Sequence, residues 1–305
     1  MKVSIITPSY NQAPFLQRTI ESVAMQRYSD YEHIIFDGGS TDESASIAGD
    51  YASNDDRVAF TSEHDRGQAH AINKGFARAQ GDILAWLNSD DYYYDENVIS
   101  AVVEFFESHP EADVVYGRGL RVDGAGEVLS EAFVHPEGTD FQVSLQHSLG
   151  LLQPAVFFRR KVYEAVGGLS EDYNLQLDYE FWIRVAQSGF RFVFLDQVLA
   201  NAVVHEDAKS TAQRREQLGE CLDLVNEKFG YVPIQWISRY AEFILSGQDP
   251  KMAKIELSPP KVEEKQQIER FLLERYNAND GDMQTIASQK EKTTFAETFN
   301  PLKAA

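Results

Sequence analysis

The sequence contains one cysteine, Cys221, and no apolar stretch that approaches the ~20 residues of a membrane-spanning helix. A single cysteine excludes an internal disulfide and a cysteine-based zinc site, which fits a reducing compartment. We therefore predict a protein of the cytoplasm without a transmembrane segment. Peripheral contact with the inner face of the membrane stays open.

Basic residues are also scarce, with 28 Lys and Arg against 48 Asp and Glu and a formal net charge of −20. Because nucleic acids attract basic surfaces, this composition argues against a nucleic-acid partner. The 305 residues are 43% hydrophobic, enough to bury a sizeable core in one large domain with or without an appendage. A homo-oligomer is compatible with this composition.

The sequence lacks both common glycine fingerprints for phosphate, the Gly-x-Gly-x-x-Gly form and the form that ends in Gly-Lys-Ser. This absence argues against a dinucleotide-dependent dehydrogenase and against a P-loop protein. Alternating strand and helix patterns are present instead and indicate βαβ units in a largely parallel sheet. The predicted strands cover residues 3–8, 32–36, 58–62, 82–87, 113–116 and 156–158. The main predicted helices cover residues 14–26, 69–79, 97–108, 161–166 and 176–187.

The C-terminal part of the sequence is helical and polar from about residue 211. Pro259-Pro260 indicates a linker before a helix over residues 261–276, and about the last twenty residues are predicted to be mobile. We divide the chain into a domain at 1–210, with halves at 1–117 and 118–210, and a helical extension at 211–305.

Polar residues follow four of the predicted strands, at 7–11, 37–40, 64–67 and 89–91. Because the carboxyl ends of parallel strands share one edge of a sheet, these segments are expected to form one pocket. Asp90 and Asp91 supply hard oxygen ligands for Mg²⁺ or Mn²⁺, although adjacent aspartates also occur in plain turns. Tyr10 offers a face for stacking a base, and Asp37 can accept hydrogen bonds from an imide or a ribose hydroxyl.

Four motifs together carry a resemblance to a known family. They are Thr-Pro-Ser-Tyr-Asn at 7–11, Asp-Gly-Gly-Ser-Thr-Asp at 37–42, Asp-Arg-Gly-Gln at 65–68 with Ala-Ile-Asn-Lys-Gly at 71–75, and Asn-Ser-Asp-Asp at 88–91. In this order they resemble the family 2 glycosyltransferases, and the resemblance extends to about residue 210. It implies the α/β fold called GT-A, a Rossmann-like, mixed, mainly parallel sheet flanked by helices, here with a C-terminal helical extension.

The resemblance implies an inverting transfer of a sugar from a nucleotide diphosphate sugar, most often a UDP-sugar, to a hydroxyl of a saccharide or lipid-linked acceptor. Polysaccharide assembly at the cell envelope is the implied setting. The residues implied on the nucleotide side are Pro8, Tyr10, Asn11, Asp37, Asp65, Arg66 and Asp90. The resemblance also implies a divalent metal, Mn²⁺ or Mg²⁺, held by Asp91 first, with Asp90 and His205 as further ligands. Asn88 departs from the family, since many relatives have aspartate there.

Asp178 is the general base that the resemblance implies. An inverting reaction needs a group that takes the proton of the acceptor hydroxyl as that hydroxyl attacks. Glu180 is a rival, but a spacing of two residues points it to another side of a helix. A carboxylate that only stabilises a helix N-terminus is the other interpretation of Asp178.

Several residues keep two interpretations at this point. Gly38 and Gly39 either complete a turn or allow close approach of a ligand. Trp182 either shapes an acceptor pocket or packs in the core. His205 is either structural or a ligand, and Lys209 is interpreted as a solvated lysine rather than a phosphate contact.

Two other functions remain compatible with the sequence. One is a nucleotide-sugar-binding protein without turnover. The other is a sugar-phosphate nucleotidyltransferase, although residues 7–11 lack the glycine- and arginine-rich loop of those enzymes. A glycoside hydrolase would use two carboxylates without a nucleotide or metal.

Overall fold

The chain divides into two compact units in the computed structural model, Met1–Leu224 and Val225–Ala305. The structure describes residues 1–247 and 257–277. The division lies within a helix and further along the chain than the boundary at residue 210 that the sequence suggests. The predicted mobile tail lies outside the described residues.

The first unit is built on a nine-stranded sheet. Its strands are β1 (Val3–Ser9), β2 (Tyr31–Asp37), β3 (Val58–Ser62), β4 (Ile83–Trp86), β5 (Tyr92–Tyr93), β6 (Val114–Val122), β7 (Val128–Glu131), β8 (Val156–Arg159) and β9 (Phe192–Val203). Their order across the sheet is β3-β2-β1-β4-β8-β6-β9-β5, and β7 pairs with β6.

The helices are α1 (Ala13–Ala24), α2 (Ser44–Asn54), α3 (Gln68–Arg78), α4 (Val98–Ser108), α5 (Phe141–Ser144), α6 (Arg160–Val166), α7 (Leu177–Gln187), α8 (Lys209–Ala212), α9 (Arg214–Phe229), α10 (Ile234–Ser246) and α11 (Pro259–Asn277). Helices α10 and α11 belong to the second unit. None of the helices within residues 1–247 and 257–277 is both long and apolar enough to cross a membrane.

Four neighbouring strands, β1 to β4, run parallel, as the βαβ pattern predicts. All seven residues of β1 are buried, which is typical of a central strand covered on both faces. The second half is mixed because β8 runs antiparallel to both β4 and β6. The predicted strand at 113–116 continues to Val122, and the predicted turn at 122–126 joins β6 to the antiparallel strand β7.

The interpretation of Pro259-Pro260 as a linker is wrong, because both prolines lie in the first turn of α11. Proline suits that position, since the first N–H groups of a helix have no partner within the helix and the proline ring fixes φ near the helical value. The predicted helix at 261–276 is otherwise found.

An aromatic cluster packs between the sheet and α7. Trp86 of β4 stacks on Trp182 of α7, with ring centroids 5.4 Å apart and an interplanar angle of 13°. Phe158 and Phe181 meet both tryptophans at steeper angles. Trp182 is 0% exposed, so it belongs to the core and does not shape an acceptor pocket.

We predict that Trp182→Ala lowers the free energy of unfolding by about 3–5 kcal/mol, because the change leaves a large cavity in a packed cluster. Urea denaturation measures this change. Tyr94→Ala, at a half-exposed aromatic residue of the same unit, is the control and should cost less than about 1 kcal/mol. Equal costs for the two variants would contradict the core role of Trp182.

Candidate active site

The polar segments after β1, β2, β3 and β4 meet at one edge of the sheet. In the strand register Ser9 pairs with Asp37, and Asp37 pairs with Ser62. The backbone N–H of Leu87, just past β4, donates to the carbonyl oxygen of Ile6 at 2.8 Å. The fold therefore brings together four segments that lie far apart in the sequence, as predicted.

Asp37 is buried at this edge and organises the loop that follows β2. Its carboxylate accepts the backbone N–H groups of Gly39 and Ser40, at 3.1 and 2.9 Å. It also accepts the hydroxyl of Ser62 at 2.6 Å and that of Ser40. Four donors match the capacity of one carboxylate, so the geometry favours Asp37 as the organiser of the loop over a direct contact to a base.

The loop after β1 is joined to the loop after β2 through Asn11. Asn11 has a φ of 53°, in the left-handed region that asparagine tolerates better than most residues. Its backbone N–H donates to the Ser40 hydroxyl, and its Oδ1 accepts the backbone N–H of Thr41, both at 2.8 Å. Asn11 thereby fixes the shape of the edge, while the neighbouring Tyr10 is 58% exposed and presents its ring for contact.

The two glycines after Asp37 have different roles. Gly39 has a φ of +84°, which the turn requires and which glycine adopts without strain. A Cβ at Gly38 would lie only 2.8 Å from Oδ2 of Asp65. Gly38 therefore makes room for the Asp65 carboxylate, which caps the backbone N–H of Gly67 at 2.8 Å.

Arg66 is paired with a residue outside the nucleotide-side set that the resemblance implies. Its guanidinium makes a two-pronged ion pair with Glu171, at 2.8 and 2.9 Å. The pair joins the loop after β3 to the segment before α7. In this structure Arg66 therefore links these two segments.

Asp91 is 6% exposed and held by two donors. Its Oδ1 accepts the backbone N–H of Val203 at 3.1 Å, and its Oδ2 accepts Nδ2 of Asn88 at 3.3 Å. Burial, and secondly the charge of the adjacent Asp90, raises the pKa of Asp91 well above its usual value. Asp91 therefore joins the loop after β4 to β9, inside the protein.

The side chains of Asp90 and His205 lie together and remain partly exposed, at 22% and 11%. Nε2 of His205 is 3.2 Å from Oδ2 of Asp90, and the imidazole stacks on Phe15. Within the described part of the chain, Nδ1 of His205 has no hydrogen-bond partner. A carboxylate oxygen and an imidazole nitrogen are a fitting pair of ligands for Mn²⁺, whereas Asp91 is directed inward.

Few acidic, histidine or cysteine side chains of the described residues lie together at this place. Residues 1–247 and 257–277 contain no group of three or more His, Cys, Asp or Glu side chains arranged to hold a metal ion. Asn88 adds no carboxylate to the site. Its Oδ1 accepts Nε2 of Gln68 at 2.8 Å, and its Nδ2 donates to Asp91. The amide at position 88 avoids the repulsion that a second carboxylate would meet beside Asp91.

Asp178 lies in the first turn of α7 and is half-buried. Its Oδ1 accepts the backbone N–H of Tyr179 at 2.8 Å. Glu180 is 2% exposed and makes a two-pronged ion pair with Arg184, at 2.8 and 3.0 Å. Glu180 is therefore committed to the protein interior, which removes the rival that the sequence leaves open.

Sequence reasoning missed two links between the two halves of the site. Asn73 of α3 exchanges two hydrogen bonds of 2.8 Å with the backbone of Leu169. Nζ of Lys209 donates to Oε1 of Gln68 at 3.3 Å and to Oδ1 of Asn174 at 3.2 Å, so Lys209 is exposed as predicted but also joins the two halves. Asn73 and Gln68 lie in the quoted motifs, whereas their partners Leu169 and Lys209 lie 96 and 141 residues further along the chain.

The model of the family "Glycosyl transferase family 2" matches residues 4–167, more than half of the chain and all four polar strand ends. The chain belongs to this family. A "PGL/p-HBAD biosynthesis glycosyltransferase" of Mycobacterium bovis is 31% identical to it over 183 residues, which cover 59% of this chain and 68% of that protein.

Solved structures show that the family 2 chain has the predicted GT-A fold. S. aureus TarS 1-349 in complex with UDP-GlcNAc aligns with a TM-score of 0.63 at 18% identity and covers 91% of this chain and 83% of that one. A mannosyltransferase from Pyrobaculum calidifontis in complex with GDP-Man and Mn²⁺ aligns with a TM-score of 0.55 at 18% identity, covering 88% of this chain and 69% of that one.

The raised pKa of Asp91 predicts that the difference in free energy of unfolding between Asp91→Asn and the wild type shifts in favour of the variant as pH rises. Burial favours the protonated form of Asp91 in the folded state. Its contribution to the free energy of unfolding is therefore present below the unfolded pKa near 3.8 and is lost as pH rises through the folded pKa. Urea denaturation at pH 4 and pH 7, in a chelator, measures the difference. Asp56→Asn, at an exposed position, is the control, and a pH-independent difference for Asp91→Asn would contradict the burial of the charge.

Proposed function

We propose that this family 2 chain is an inverting glycosyltransferase that uses a nucleotide diphosphate sugar and a divalent cation. The observation that carries this proposal is the shared sheet edge, where exposed Tyr10, the pair of Asp90 and His205, and the Asp65 carboxylate follow four different strands. Two neighbours in fold were solved with UDP-GlcNAc and with GDP-Man and Mn²⁺, which supports such a donor and leaves its base to be tested. A UDP-sugar is our first candidate.

Tyr10 is the residue we assign to stacking the base, since its ring is exposed beside a loop that Asn11 holds in place. Pro8 is buried near the end of β1, two residues before Tyr10. Asp65 is available to accept a ribose hydroxyl, and Asp37 acts indirectly by fixing the loop. Arg66 would have to leave Glu171 to reach the diphosphate.

Asp90 and His205 are the residues we assign to the divalent cation, and Asp91 supports them from inside the protein. A bound cation would offset the negative charge that develops on the leaving nucleotide diphosphate. Asp91 fixes the loop that carries Asp90 by accepting the N–H of Val203, two residues before His205 along the chain. This assignment reverses the order that the resemblance implies for the two aspartates.

Asp178 is the general base in this proposal. The acceptor hydroxyl oxygen forms a bond to the anomeric carbon, and its proton passes to the Asp178 carboxylate. The bond from the anomeric carbon to the diphosphate oxygen breaks, and its electron pair leaves with the nucleotide diphosphate. Attack opposite the leaving group inverts the anomeric centre. The acceptor is a hydroxyl of a saccharide or of a lipid-linked saccharide.

We predict that Asp90→Asn abolishes the Mn²⁺-dependent part of UDP binding, whereas Asp91→Asn retains it. The reason is that Asp90 is partly exposed beside His205, while both oxygens of Asp91 are engaged inside the protein. Calorimetric titration of UDP with and without Mn²⁺ measures this, and GDP is the comparison nucleotide. Loss of metal-dependent binding in Asp91→Asn alone would instead support Asp91 as the main metal ligand, as the resemblance implies.

We further predict that Asp178→Asn lowers the rate of sugar transfer at least about 100-fold while the affinity for UDP changes less than twofold, because general base catalysis is worth about 10²–10⁴ in rate. Release of UDP from a UDP-sugar in the presence of an acceptor measures transfer. Asp172→Asn, at an exposed position before α7, is the matched control. Binding of UDP-sugars without any transfer by the wild type would instead support a binding protein without turnover.

A further inference from the structure

The segment between α6 and α7 leads to Asp178 in the first turn of α7. Glu220 of α9 binds the last part of this segment. Oε1 of Glu220 accepts the backbone N–H of Asn174 at 2.7 Å, and its Oε2 accepts the backbone N–H of Leu175 at 2.8 Å. Both oxygens of one carboxylate thus bind successive N–H groups shortly before the helix begins. Such charge-assisted bonds are stronger than bonds between neutral groups.

The residue just before α7 also contacts α9 instead of capping its own helix. Within the described residues, Gln176 makes no side-chain bond to the first turn of the helix. Its Nε2 donates instead to the carbonyl oxygen of Gln217, at 2.8 Å. A helix start normally receives a side-chain acceptor from its cap residue, whereas here contacts with α9 hold the residues just before the helix.

The same short segment is tied to the nucleotide side of the site. Oδ1 of Asn174 accepts Nζ of Lys209, which also donates to Gln68, and Gln68 donates to Asn88 beside the two adjacent aspartates. Glu220 therefore binds the backbone of Asn174, and Lys209 binds its side chain. Two anchors of this kind restrict the position of the first turn of α7.

We propose that Glu220 is a positioning residue for the general base. Its carboxylate fixes the backbone of residues 174 and 175, and this sets the place of Asp178 at the start of α7. The inference rests on the proposed role of Asp178. It also gives a function to α9, which lies outside the residues 4–167 that the family model matches.

The test compares Glu220→Ala with Glu216→Ala, an exposed glutamate one turn earlier on α9. Loss of Glu220 should lower kcat for sugar transfer about tenfold to 100-fold, because small displacements of a catalytic group cost rates of this order. The Kd for UDP with Mn²⁺ and the KM for the donor should change less than twofold. Hydrogen exchange of the backbone amides of residues 174 and 175 should become faster in Glu220→Ala and stay unchanged in Glu216→Ala.

Glu220→Gln gives a graded second variant. Its amide oxygen can accept one of the two N–H groups, so its kcat should lie between those of the wild type and Glu220→Ala. This variant keeps the size of the side chain and serves if the alanine variant does not fold.

Three outcomes separate this inference from the proposed function. Full turnover in Glu220→Ala and Glu220→Gln, with a wild type that transfers sugar, would overturn the positioning role alone. Unchanged hydrogen exchange at residues 174 and 175 would overturn it as well. Absence of transfer by a wild type that binds UDP would overturn the proposed function, and the positioning role would fall with it.

Discussion

The site depends on one constraint, the parallel alignment of β1, β2, β3 and β4. Parallel strands end at the same edge of a sheet, so every loop that leaves this half of the protein starts beside the others. Hydrogen bonds between these loops then fix the edge: Asp37 binds the turn after β2, and Asn11 joins that turn to the loop after β1. Tyr10 and Asp90 take no part in these hydrogen bonds between the loops.

The aspartates of the candidate site differ in burial and in hydrogen-bond partners, and these differences support the different roles that we propose for them. Asp37 and Asp91 are buried and receive several internal donors, which suits residues that hold loops in place. Asp90 and Asp178 are more exposed, which suits residues that meet a cation or a substrate. In the proposed site these adjacent residues have different roles, since Asp90 contacts His205 while Asp91 accepts the N–H of Val203 in β9.

Much of the fold and part of the site could be predicted from the sequence. Periodicity places the strands and helices of the first half, and the polar strand ends identify the edge, because both signals are local. The different surroundings of Asp90 and Asp91 could not be predicted, since the N–H of Val203 that binds Asp91 comes from a strand 112 residues later. The role of Trp182 in the core, the pairing of Arg66 with Glu171 and the contact of Lys209 with Asn174 likewise depend on tertiary packing that no local pattern encodes.

We propose that the sheet edge formed by β1, β2, β3 and β4 binds a nucleotide diphosphate through a cation held by Asp90 and His205. A crystal structure of the protein soaked with UDP and Mn²⁺, with the metal located by anomalous scattering, tests this proposal. We expect a Mn²⁺ peak that contacts Asp90, His205 and the diphosphate, with the uracil ring against Tyr10. A cation bound to Asp91 without Asp90, or a nucleotide bound away from this edge, would contradict it.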